Sequence, residues 1–159
     1  MIRIERGSDC FNYRVVGVAV QGDSVLLHQA EGEDFWTFPG GRAEIGEPGE
    51  QTLKREMREE LDIEVEVVRL LWLVENFFTY AGKQYHEIAF YFLMRLPPDC
   101  KYIVEPGPFK GWEETIELTF QWFPHRPEVL SSLPLFPSFL RTALQTLPES
   151  PQHVVHYDK

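Results

Sequence analysis

Glu56, Glu59 and Glu60 lie close together in a segment with helical periodicity, and their spacing is the first chemical signal in the chain. On a wheel of about 100° per residue, Glu60 falls about 40° to one side of Glu56 and Glu59 about 60° to the other. All three carboxylates therefore leave one face of one helix, beside an apolar stripe of Leu53, Met57 and Leu61. Like charges at such spacings repel by a few tenths of a kcal/mol per pair. The bland alternative is a solvated acidic face, partly neutralised by Lys54, Arg55 and Arg58. Against it stand Gly40-Gly41 and two further acids, Glu44 and Glu47, just upstream. Clustered hard oxygen donors with partial charge compensation suit magnesium or manganese, and magnesium shares its coordination with substrate phosphates.

Several elements must position that helix. Residues 13–20, rich in β-branched side chains, read as a strand, followed by the turn Gln21-Gly22-Asp23 and a return strand over 24–29. The aromatic run Phe35-Trp36-Thr37-Phe38 is stopped by Pro39-Gly40-Gly41. Pro48 suits a helix first turn, and Asp62 ends the helix after Leu61. Residues 63–78 and 87–96 read as strands around the turn Ala81-Gly82-Lys83. A Pro/Gly-rich loop over 97–111, a final strand over 115–123 and an amphipathic helix over 136–147 complete a single domain, 1–147. The polar end, 148–159, is expected to be a frayed tail. The class is α/β in the broad α+β sense, a mixed β-sheet covered by helices.

The segment from Gly41 to Ile63 resembles the Nudix box, Gly-x5-Glu-x7-Arg-Glu-U-x-Glu-Glu-x-Gly-U, where U is a bulky apolar residue. Gly41, Glu47, Arg55, Glu56, Met57, Glu59, Glu60 and Ile63 are in register. The final glycine is Asp62, at a helix C′ position where a left-handed conformation is common and aspartate tolerates it at modest cost. The flanking order of elements is similar to the Nudix α/β/α sandwich. The resemblance implies a pyrophosphohydrolase of nucleoside diphosphates linked to another group X: nucleotide sugars such as ADP-ribose, nucleoside triphosphates or dinucleoside polyphosphates. It implies magnesium, with manganese as a substitute, held by Glu56, Glu59, Glu60 and Gly41. Glu59 and Glu60 would do the catalytic work, Arg55 would orient the glutamates, and Glu47 would be an accessory ligand or anchor Arg55. A further glutamate is expected from the region before Trp122-Phe123-Pro124, where Glu113, Glu114 and Glu117 lie, with Glu114 favoured. The alternative is a Nudix-fold domain that senses a nucleotide without turnover.

Trp36, Phe77, Phe78 and Tyr80 are candidates for stacking on a nucleobase, core packing being the competing reading for Trp36 and Phe77. Arg42 joins Trp36, Phe78 and Tyr80 as a substrate-binding candidate. His86-Glu87-Ile88 begins like a zinc-protease motif, but Phe90 stands where the second histidine belongs, so the zinc reading fails; Glu87, at a strand start, reads as a paired strand residue, with a reach to the metal site as the alternative. No phosphate-binding Gly-Lys-Ser/Thr loop and no Gly-x-Ser-x-Gly elbow occurs.

The formal net charge is -10, which argues against a nucleic-acid polymer or an anionic membrane surface as partner. A small polyanionic substrate stays compatible with it, because bound cations invert charge locally. Cys10 and Cys100 are far apart, and the N-terminal residues lack an apolar signal region, so the reading is a reduced, cytoplasmic protein, with a homodimer as a family-level expectation.

Overall fold

A computed structural model describes residues 1–105 and 107–158. Pro106, in the expected 97–111 loop, and Lys159, at the end of the expected tail, lie outside the described residues. The chain opens with β1 (Arg3–Arg6), β2 (Asp9–Gln21), β3 (Ser24–Ala30) and β4 (Gly40–Arg42), and then enters the helix α1 (Gly49–Leu61). Two long strands follow, β5 (Glu66–Tyr80) and β6 (Lys83–Arg95), then a short helix α2 (Lys101–Val104). Strands β7 (Phe109–Glu113) and β8 (Ile116–Pro124), short helices α3 (Pro127–Leu130) and α4 (Leu140–Ala143), and β9 (Gln152–Tyr157) finish it.

The sheet runs β7-β8-β3-β2-β6-β5-β9, with β1 and β4 also paired to β2. It is mixed, because β2 runs parallel to β6 and β5 parallel to β9 while the hairpins are antiparallel. Alternation along β2 sorts its side chains into two cores. Val15 and Ala19 pack with Leu53, Met57 and Leu61 of α1, whereas Val16 and Val18 pack with Leu130, Leu140 and Leu144 around the short helices. Gly17 lets α1 and β6 close on β2, since a Cβ there would lie 2.3 Å from Met94 Sδ and 3.0 Å from Leu53 Cδ1. The expected mixed sheet between helical layers is the architecture found.

Three expectations for the chain's second half need correction. The helix over 136–147 is reduced to α4, because prolines bound the segment and its flanks close i to i+3 bonds such as Arg141 N–H to Ser138 O, 3.2 Å. The 97–111 loop contains α2 and the start of β7. The tail is not frayed: β9 adds a parallel edge to β5 from Trp72↔Gln152 to Phe77↔Tyr157, and Asp158 N–H donates to Phe77 O at 2.9 Å. Its His and Gln side chains read as a polar tail because an edge strand is largely solvated, and its apolar contacts come from Val154 against the core and Tyr157 on Phe77. Among the described residues no helix is long and apolar enough to cross a membrane.

Candidate active site

The site begins with the way α1 meets β4. Asp62 caps α1 in the left-handed conformation (φ 55°, ψ 42°), and its N–H donates to Arg58 O at 2.9 Å. The helix buries Leu53, Met57 and Leu61, and with them Glu56 and Glu60, so two of the three box glutamates point inward. Glu59 remains exposed beside them. Gly41, in β4, lies directly against Glu56: an added Cβ would stand 2.2 Å from the Glu56 carboxyl carbon. Gly40 is equally confined, with Val15 O 2.1 Å from its would-be Cβ.

Arg55 organises the acids. Its Nε donates to Glu47 Oε2 at 2.8 Å and its Nη2 to Glu47 Oε1 at 3.0 Å, a two-point grip. Nη2 also donates to the Arg42 carbonyl at 3.0 Å, tying α1 to the end of β4. Nη1 reaches Glu56 Oε1 at 2.8 Å and Glu59 Oε2 at 3.2 Å. Glu47 takes a further bond from Thr52 Oγ1 at 2.6 Å. Arg55 and Thr52 hold its carboxyl down at about 2 against the opposing effect of burial.

Glu60 is the opposite case. It is 4% exposed, and among the described residues neither of its carboxyl oxygens has a hydrogen-bond partner. Burial, followed by the fields of Glu56 and Glu113, drives its pKa well above the ordinary carboxylate range. Burial also raises Glu56, against the pull of Arg55. A buried, unpartnered carboxyl among other carboxyls is costly unless a cation or proton joins it. This donor set fits a hard divalent ion, and Gly41 supplies the clearance beside it. No three acidic, His or Cys side chains among the described residues converge on one point as they stand, and Arg55 engages Glu56 and Glu59.

A cavity of ≈390 Å³ is lined by Arg14 and Arg42, the latter joined through its carbonyl to Arg55 of this cluster, and by Phe35, Phe78 and Tyr80. Arg14 and Arg42 are register partners, and Arg14 Nη2 donates to Phe38 O at 3.3 Å. The field of Arg14 also reaches Glu56 and Glu60, so it links cavity and acids. Of the expected substrate-binding residues, Arg42, Phe78 and Tyr80 line the cavity, and Tyr80 O–H donates to Glu33, which pushes its pKa up to about 12. Trp36 does not line it. It packs edge-on against Phe123, with ring centroids 4.8 Å apart, and its neighbour Phe35 takes the cavity wall. Phe77 faces the other side of the sheet, stacked between His86 and Tyr157.

Glu114 sits exposed in the turn between β7 and β8, at φ 54°. Glu113, one residue earlier on β7, is the acid of that region whose field acts on Glu60. Arg14 was not among the expected site residues, although an arginine immediately before the apolar run Val15 to Val20 is itself a signal of a partly buried polar role.

Residues 12–137 match the family model described as NUDIX domain. A protein named as mutator protein MutT4, from Mycobacterium tuberculosis, is 36% identical over 64 residues, 40% of this chain and 26% of that protein. An 8-oxo-dGTP diphosphatase of Haemophilus influenzae is 47% identical over 45 residues, 26% of this chain and 33% of that protein. The chain thus spans about a quarter to a third of the length of these curated relatives. The crystal structure of a NUDIX hydrolase from Nitrosomonas europaea superposes with a TM-score of 0.64 at 18% identity, covering 92% of this chain and 79% of that one.

Proposed function

The chain belongs to the Nudix family, and on that premise we propose that it is a magnesium-dependent pyrophosphohydrolase of nucleoside diphosphates linked to another group. The observation that carries this reading is Glu60: a buried carboxyl without a hydrogen-bond partner among the described residues, beside Glu56 and exposed Glu59, with Arg14 and Arg42 lining a cavity. Glu56, Glu59 and Glu60, with the backbone at Gly41, would hold the ion, and manganese would substitute for magnesium. When bound, the ion supplies charge neutralisation of the pyrophosphate and acidification of the attacking water.

The chain's own residues have separable tasks. Arg14 and Arg42 receive the phosphate oxygens at the cavity mouth. Exposed Glu59 can take the water's proton, because water reaches it and its partner Arg55 is shared with Glu47 and Glu56. Glu47 keeps Arg55 in place and stays ionised at every working pH, so the guanidinium cannot collapse fully onto the ligand glutamates. Glu113 replaces Glu114 as the acid outside the box assigned to the site. The substrate is a small nucleotide derivative, for which a cavity of ≈390 Å³ lined by aromatic rings and arginines is suited.

The test is a panel of nucleotide sugars, nucleoside triphosphates and dinucleoside polyphosphates incubated with magnesium, with products separated by chromatography. Turnover lost in Glu59→Gln and Glu60→Gln is the expected result. Binding of nucleotide without turnover of any member would favour a sensing domain, and turnover untouched by both substitutions would refute the site.

A further inference from the structure

The cavity has a polar floor that the phosphate chemistry does not use. Asn12 on β2 pairs with Glu87 on β6, and Glu87 with Asn76 on β5, so the three lie in one transverse row across three strands. Register partners share a face, and all three line the cavity. All are buried, with Asn12 1%, Asn76 4% and Glu87 8% exposed. Asn12 Nδ2 donates to Glu87 Oε2 at 2.7 Å, and the acceptor at Glu87 fixes that amide's orientation. Among the described residues its Oδ1 is then left without a partner, and so is the Oδ1 of Asn76. Two buried, unpartnered amide carbonyls flanking a carboxyl are rare in a folded protein and cost stability unless a ligand satisfies them.

What they lack is a donor, and several donors side by side. Next to the row, two residues along and on the same face, Tyr85 and Phe78 stack with centroids 4.9 Å apart and ring planes 6° off parallel. Phe35 faces Tyr80 edge-on at 6.1 Å along the cavity wall. Such a lining selects a flat heteroaromatic ring. Arg14, two residues beyond Asn12 on the same face of β2, lies about 7 Å along the strand, which leaves a base at the row and phosphates at the arginines.

We infer that Asn12, Glu87 and Asn76 form a base-reading row that selects guanine, whose N1–H and N2–H₂ present three donors on one edge. Adenine offers an amino group beside the ring acceptor N1, which would face an oxygen here, and uracil offers one N–H between two carbonyls. Hypoxanthine keeps N1–H but loses the amino group, so it isolates the contribution of the second donor. The assignment rests on the cavity being the nucleotide site of the proposed pyrophosphohydrolase, and it is testable without turnover.

Guanosine, inosine and adenosine 5′-monophosphates, and ribose 5-phosphate, are titrated into the chelator-treated chain by calorimetry. The expected result is guanosine monophosphate binding at least about tenfold more tightly than the other three, since a missing donor leaves a buried acceptor unpaired. Glu87→Gln is expected to reduce the guanosine-to-inosine ratio to about threefold or less, and Asn76→Ala provides the same test should the first variant not fold. Equal binding of guanosine and adenosine monophosphates, no binding of either, or a ratio unchanged in the folded variants overturns the inference. Ribose 5-phosphate binding as tightly as guanosine monophosphate would assign the row to a sugar diol and overturn it equally. Guanine preference without hydrolysis of any nucleotide pyrophosphate leaves the row standing and removes the enzyme reading. Hydrolysis without base preference does the reverse.

Discussion

Gly41 and Glu56 compete for one volume: a methyl group on Gly41 would lie 2.2 Å from the Glu56 carboxyl carbon and 2.4 Å from each of its oxygens. The carboxyl is the movable partner, because it ends a flexible side chain while Gly41 is fixed in β4 against Val15. Gly41→Ala is therefore expected to push Glu56 out of place with little loss of stability. Magnesium titration of the reaction should show its half-saturation raised by about tenfold or more. A melting midpoint within a few degrees of the parent would show that the effect is local.

Glu60 sets function against stability. Its pKa is raised in the folded chain above the ordinary 4.5, so ionisation costs the fold stability progressively as pH rises above the ordinary carboxylate value. Glu60→Gln removes that cost. In metal-free protein near neutral pH the variant is expected to be more stable by about 1 kcal/mol or more, about 2–4 °C in the melting midpoint. The advantage should vanish at about pH 4 and reverse in saturating magnesium, where the ion stabilises only the parent. A variant less stable than the parent in chelator would contradict the reading of Glu60 as an unpaired buried acid.

Asp62 replaces the glycine that ends the box, and it adopts the left-handed conformation that glycine enters freely. Asp62→Gly is expected to stabilise the chain by about 0.5–1 kcal/mol, read as a rise in thermal midpoint, with turnover unchanged. Asp62 caps α1 through its backbone N–H to Arg58 O, so a change in rate would mean that the helix end does more than terminate α1.

Much of this arrangement was legible in the sequence because helical spacing is local. Glu56, Glu59, Glu60 and the stripe Leu53, Met57, Leu61 can be placed on α1 from a period of 3.6 alone, and the left-handed stop at Asp62 follows from the same segment. Wheel geometry did not distinguish exposed Glu59 from buried Glu56 and Glu60, because that division depends on where β4 lies. The row of Asn12, Glu87 and Asn76 was out of reach for a stronger reason. Its members come from three strands, and their alignment depends on a parallel pairing of β2 with β6 that no local pattern encodes. Trp36 and Phe35 show the limit within one aromatic run, where a single residue of register decides which ring faces the cavity.

His28 offers a stability test away from the acids. It is buried on β3, and burial, with the Arg14 field, brings its pKa from 6.5 to about 3. The unfolded chain takes up a proton near 6.5 while the folded chain refuses it until about 3, so stability present above 6.5 is lost as pH falls through that window. His28→Gln is expected to flatten the dependence. Thermal midpoints at about pH 7.5 and about pH 5 check it: the parent should lose more between the two than the variant, and parallel losses would refute the assignment.

The most direct test of the hydrolytic assignment is a single-turnover reaction with a nucleotide pyrophosphate in ¹⁸O-labelled water and magnesium, with the products read by mass spectrometry. One labelled oxygen is expected in one phosphate product of the parent chain, with no product when magnesium is chelated and a rate lowered by about 10² or more in Glu60→Gln. Unlabelled products, or an unchanged rate in Glu60→Gln, would contradict it.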